Sequence, residues 1–206
     1  MKKIYILLFI GLAISVGVLC GSQIIEAKAG NSEVKLKAGN ANELKEMVKE
    51  KKEELEQGEN GLKEKQQNVY KNQNQVRLAV HSLLAMEDLV GAIGPKVSEI
   101  AGEFNNSLGK TIISEEKIQN KNRFIRLLLG GDKESAQAII QEVNQNKEKV
   151  EQLKQLMEDC DCEGEVRDMF REQIMNIETE QNRLEMFATI EEEYKGIFGW
   201  FLNLFK

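Results

Sequence analysis

Val48, Leu55, Leu62, Val69, Val76, Leu83 and Val90 follow one another at a spacing of seven residues. An apolar residue at every seventh position can meet a partner only as a narrow stripe along a helix. A strand would need a period of two, so this part of the chain is helical and packs along a seam. The companion positions are polar early (Lys51, Gly58, Lys65, Asn72) and apolar late (Ala79, Met86, Ile93), so burial should deepen towards Val90. Gly58 and Gly61 weaken the early part by ~1 kcal/mol each relative to alanine. The unbroken heptad nevertheless predicts one helix from residue 41 to residue 90.

The rest of the chain repeats this logic. Gly91 to Pro95 interrupts the stripe, and Pro95 suits the first turn of a second helix carrying Val97, Ile100, Phe104, Leu108, Ile112, Ile118 and Ile125. Gly130-Gly131 ends that helix and Asp132 caps a third, with a seam running from Ala136 through Ile139, Val143, Asn146, Val150, Leu153 and Met157 to Cys160. After DCDCEG a fourth helix shows Val166, Met169, Ile174, Ile177, Leu184 and Phe187, and runs to about Lys195.

Polar interruptions of the stripes decide how these helices pair. Folding the first pair about Gly94 sets Gln73 opposite Glu115 and Gln66 opposite Asn122. Folding the second about Glu163 sets Asn146 beside Glu180 and Gln181. Buried polar groups require partners, so coincident interruptions mark true hairpins. The expected fold is all-α: two antiparallel helical hairpins, 41–130 and 132–195, forming an elongated coiled-coil-like four-helix bundle. The narrow seams also leave room for self-association.

The termini differ from this middle. Residues 1–29 begin with two lysines ahead of an apolar run from Ile4 to Gly21, and read as a signal peptide or membrane anchor. Ala27-Lys28-Ala29 offers a cleavage site, so removal and retention both stay open, and Cys20 reads as a cysteine within an apolar segment. Residues 30–40 are a linker. Residues 196–206 form an amphipathic aromatic tail, in which Ile197, Phe198, Trp200, Phe201, Leu202, Leu204 and Phe205 surround a thin strip of Gly199, Asn203 and Lys206. Ten residues cannot span a bilayer but can lie in its interface, which marks these seven as membrane-contact residues. Four alternating legs should bring the tail back to the end where the first helix starts, near the same membrane as the N-terminal segment.

Signals for catalysis are missing. The chain has no H-E-x-x-H, phosphate loop or nucleophile elbow, and its one histidine, His81, lies off the seam as a solvated helix residue. Asp159, Asp161, Glu163 and Gly164 reproduce the front of a helix–loop–helix calcium site, but Phe170 stands where the bidentate glutamate belongs. An acidic turn without metal is the expectation. Cys160 and Cys162 admit three states: a local disulfide, a bridge to another chain, or reduced thiols with Cys160 in the seam. A net charge of −6, with basic and acidic residues interleaved, argues against nucleic acid.

Arg77 to Ser107 (RLAVHSLLAMEDLVGAIGPKVSEIAGEFNNS), DCDCEGEVRDM and the closing KGIFGWFLNLFK resemble uncharacterised archaeal membrane-associated coiled-coil proteins. The resemblance implies an extracytoplasmic protein and no particular activity. The functional expectation is a membrane-tethered, extracytoplasmic helical scaffold or protein-interaction module without catalytic activity or cofactor, contacting the membrane and either a protein partner or itself. Two alternatives are a sensory bundle with a pocket near Phe104, Met86 and His81, and a secreted membrane-active protein.

Overall fold

The computed structural model describes residues 37–198, which are helical throughout apart from short connections. The helices are α1 (Ala41–Gly58), α2 (Glu64–Ala85), α3 (Gly94–Asn120), α4 (Arg123–Leu129), α5 (Lys133–Glu158) and α6 (Gly164–Glu193). Two 3-10 turns, Glu87–Leu89 and Gly91–Ile93, join α2 to α3. None of the described helices is long and apolar enough to cross a membrane.

Local chemistry explains most boundaries. Asn40 caps α1 by accepting from the Glu43 N–H at 3.0 Å, while Glu43 Oε2 accepts in return from Gly39 N at 2.8 Å. Asp132 caps α5 by accepting from Ser135 N at 3.1 Å, as its position after the glycines predicts. At the α2–α3 bend a methyl group on Gly94 would sit 2.0 Å from the Glu87 carbonyl oxygen, so only glycine permits that approach. Glu87 also accepts from Lys37 Nζ at 2.9 Å and from the Ser98 hydroxyl at 2.5 Å, and these contacts hold its carboxyl below the ordinary range.

The single helix expected over 41–90 is two helices. The chain leaves α1 at Gly58, turns through Gly61 at φ 95°, and returns as α2. A positive φ costs glycine little, and two glycines within four residues had already weakened helix at this point. The heptad persists across the break because α1 folds back along α2. Asn74 donates to Glu59 Oε1 at 2.6 Å and Gln67 to the Glu59 carbonyl at 3.3 Å, while Leu44 is buried at the far end. Periodicity therefore survived where continuity did not.

Among the long helices, α2 packs against α3, α3 against α5, α5 against α6 and α6 against α2, with α1 lying outside on α2. The interior divides in two. A larger cluster runs from Ala38 and Leu44 through Leu83, Val90, Ile100 and Phe104 to Leu153, Cys160 and Phe170. A smaller one gathers Ile118, Ala136, Ile139, Val143, Leu184 and Ala188. Ile125, which the stripe assigned to the second seam, is exposed on α4, because α3 ends at Asn120 and the seam ends with it.

The extra reversal changes where the chain goes. Ala38 N donates to the Ala85 carbonyl at 2.8 Å and Lys45 pairs with Glu165, so the described chain enters beside the α2–α3 bend and the start of α6. It leaves at Tyr194, after the 30 residues of α6. At ~1.5 Å per residue, entry and exit are about 45 Å apart. The expected return to a shared end is overturned: five long legs, not four, alternate in direction.

Candidate functional site

The short helix α4 has the sequence RFIRLLL and buries none of its residues. Asn122 starts it by accepting from Phe124 N at 2.8 Å, and Gly130 stops it with φ 97° and an N–H donated to the Arg126 carbonyl at 2.9 Å. Phe124 and Leu129 are 66% and 67% exposed, with Ile125 and Leu127 only somewhat less so. Arg126 points the other way, pairing with the buried carboxylate of Glu191 and lying 5.2 Å over the Tyr194 ring. A helix on a soluble domain normally turns its apolar face inward. Here a charged side chain faces the protein, and four of the five apolar ones, all but Leu128, face out.

The junction holding α4 is built from close backbone contacts. Gly131 N donates to the Tyr194 carbonyl at 2.7 Å, and Lys121 Nζ donates to the Gly131 carbonyl at 2.8 Å. Glu191 Oε1 accepts from Asp132 N at 2.7 Å. Added Cβ atoms would fall 2.4 Å from Tyr194 O at Gly130, 2.0 Å from Glu191 O at Gly131 and 2.4 Å from Gly130 N at Gly196. Three glycines thus let two bends of the chain interlock. Beside them lies a cavity of about 580 Å³ lined by Leu127, Glu193, Tyr194, Lys195, Gly196 and Ile197.

Of the seven predicted membrane-contact residues, Ile197 and Phe198 are described and are 49% and 53% exposed. Trp200, Phe201, Leu202, Leu204 and Phe205 lie outside the described residues. The structure brings the stem of the tail together with Leu127 of α4, a neighbour the sequence reading missed. A signal was present: six apolar residues among the seven from Phe124 to Gly130, broken only by Arg126, are too dense for a narrow seam if the glycine is counted with them.

A second polar feature lies inside the bundle. Gln73 donates to Glu115 Oε2 at 3.2 Å, and Asn146 donates to Gln181 Oε1 at 3.1 Å and to the Ser107 hydroxyl at 2.8 Å. Two of the expected coincidences between polar interruptions are therefore direct bonds. Arg183, which the sequence reading did not single out, grips both oxygens of Glu115 at 2.9 and 2.8 Å and both of Glu180 at 2.7 Å. Burial opposes the Arg183 cation, but the two carboxylates outweigh it and raise its pKa. Burial pushes the Glu180 carboxyl up, against the pull of Arg183 and with the help of Glu115. These groups bond to one another and join α2, α3 and α6 in the interior.

The remaining predicted positions are structurally plain. Cys160 and Cys162 are bonded to each other at the α5–α6 tip, with Cys160 buried in the larger cluster. No three His, Cys, Asp or Glu side chains among the described residues are grouped to hold a metal ion, and Asp159, Asp161 and Glu163 form no such group. His81 is not solvated as expected: α1 covers it, and burial together with nearby Lys51 lowers its pKa, against smaller upward pulls from Glu54 and the Met47 backbone. Phe104 and Met86 are closed within the core. No family model matches the chain, and no curated protein or solved structure matches it.

Proposed function

We propose that this protein is a membrane-attached, extracytoplasmic helical scaffold or protein-interaction module with no catalytic activity. The core of the scaffold is a closed antiparallel four-helix bundle of α2, α3, α5 and α6, with α1 strapped along α2. The observation that carries the reading is the apolar exit end, where Phe124, Leu129, Ile197 and Phe198 stand in solvent beside a junction fixed by three glycines. The tail continues from that end with GWFLNLFK, and the apolar run of residues 4–21 supplies a second attachment.

Membrane contact at the exit end also serves the alternative of a secreted membrane-active protein. Release of dye from liposomes at high protein concentration separates the two, because a scaffold leaves the bilayer sealed.

The direct test compares chains lacking residues 1–29, with and without residues 199–206, by flotation with vesicles. The scaffold reading expects the longer form to float and the shorter one to float less. Equal partition of both into the soluble fraction defeats the tail's membrane role.

A further inference from the structure

We infer that α4 is itself a membrane-inserting element: with the tail stem it forms one docking surface for an anionic lipid bilayer. The inference rests on the membrane reading above and goes beyond it by assigning a second, internal contact that the tail does not contain.

Three observations select lipid as the occupant. First, the exposed positions 124, 125, 127 and 129 span more than half of the α4 circumference, while Arg126 pairs with Glu191 and Leu128 is partly covered. A protein groove covers one face of a helix, whereas acyl chains accept a wide apolar arc without demanding shape. Second, seven residues make a helix about 10 Å long, which cannot cross a bilayer but matches the depth of its interfacial layer. Third, the tail stem supplies adjacent apolar residues: Ile197 and Phe198 are exposed, and Ile197 lines the same cavity as Leu127. The stem and α4 therefore share one apolar surface.

Charge decides the lipid class. Arg123 begins α4 and Lys195 lines the cavity beside Leu127, and neither has an ion-pair partner among the described residues. Glu193 shares the cavity lining, but Arg126 is already neutralised by Glu191 and leaves Arg123 as the free cation of α4. Cations flanking an inserted apolar face bind anionic headgroups, each contact being screened by salt. The overall charge of −6 makes this local pair the means of approach to such a surface.

The test uses the full chain in vesicles of phosphatidylcholine and phosphatidylglycerol carrying brominated acyl chains, with tryptophan emission as a local reporter. The chain has one tryptophan, Trp200, in the tail. Its quenching reads the tail alone. The double variants Phe124→Trp/Trp200→Phe and Leu129→Trp/Trp200→Phe read α4 at two exposed positions, so that one misfolded variant does not end the experiment. Met175→Trp/Trp200→Phe reads exposed surface in the middle of α6.

The inference expects about twofold or greater quenching at both α4 reporters, a blue shift, and none at position 175. Native Trp200 quenched with both α4 reporters unquenched overturns it while the tail reading stands. All positions unquenched overturns both readings. Equal quenching at 175 and on α4 overturns a defined docking surface. Equal α4 quenching in pure phosphatidylcholine overturns the role given to Arg123 and Lys195. If the α4 reporters are shielded equally without vesicles and sedimentation gives a dimer, the occupant is a second copy and the lipid assignment fails.

Discussion

The two ends of the bundle solve the same problem in opposite ways. At the entry end the α2–α3 bend, the start of α1 and the Cys160–Cys162 tip close over Val90, Leu44 and Cys160, and polar contacts such as Lys37–Glu87 lie outside. At the exit end the buried charge is Glu191, its partner Arg126 faces the protein, and Phe124, Leu129 and Phe198 lie outside. Both ends depend on glycines that admit another backbone within van der Waals distance. Among the described residues, the apolar side chains of a bend are buried at one end and exposed at the other, and it is this exposure on which the proposed membrane contact rests.

The largest effect is expected in the polar layer within the bundle. Glu115 has no exposed surface and binds Arg183 and Gln73. Glu115→Ala leaves both without that partner and should cost about 3–5 kcal/mol in chemical denaturation. Replacing Glu115, Glu180 and Arg183 together by Leu, Leu and Met should cost far less, since no buried charge is then left unpaired. A triple variant as damaged as the single one would show that the layer's cost lies in packing and not in charge.

Gly131→Ala and Gly94→Ala set the two ends against each other. Each added methyl would meet a backbone oxygen at 2.0 Å, so each should destabilise by about 1–3 kcal/mol. Hydrogen exchange sharpens the contrast: Gly131→Ala should speed exchange around α4 and Tyr194, and Gly94→Ala around the α2–α3 bend. Exposed apolar positions should matter much less. Phe124→Ser is expected to change stability by no more than about 0.5 kcal/mol, whereas Phe104→Ala in the larger cluster should lose about 3–5 kcal/mol. A large loss for Phe124→Ser would mean that α4 is held by its apolar side chains after all.

Much of this was legible in the residues, and the misses have physical causes. Helical content followed from the stripes and hairpin register from their polar interruptions, and Gln73–Glu115 and Asn146–Gln181 are that register made visible. The break between Gly58 and Lys63 was hidden because a seven-residue period reports which face is apolar, not whether the backbone is continuous. Both pieces, α1 and α2, keep the stripe because they pack on each other. That one missed turn reversed the direction of everything before it, and so misplaced the entry point. Ile125 was misassigned because position in a stripe says nothing of where its helix stops, and Asn120 to Asn122 stop it. The role of Arg183 needed α6 to reach Glu115 of α3 across the interior of the bundle, a relation that neither hairpin contains.

The smallest predicted effect lies on the part of the fold the stripe concealed. With α1 laid over α2, His81 is half-buried, and burial with Lys51 nearby favours its neutral form in the folded state. Its pKa is therefore lower folded than unfolded, and on acidification the open state takes up the proton first. The contribution of α1 docking is present in full above the ordinary value of 6.5 and declines as pH falls through that value towards the lowered one. Amide exchange in α1, corrected for its intrinsic pH dependence, should show less protection at about pH 5.5 than at about pH 7.5, with α5 unaffected. His81→Gln should flatten the difference, because glutamine fills a similar space without titrating. Equal protection of α1 at both pH values in the wild-type chain would mean that α1 leaves His81 open to water, and the fold-back along α2 would then be looser than the Asn74–Glu59 and Ala38–Ala85 bonds require.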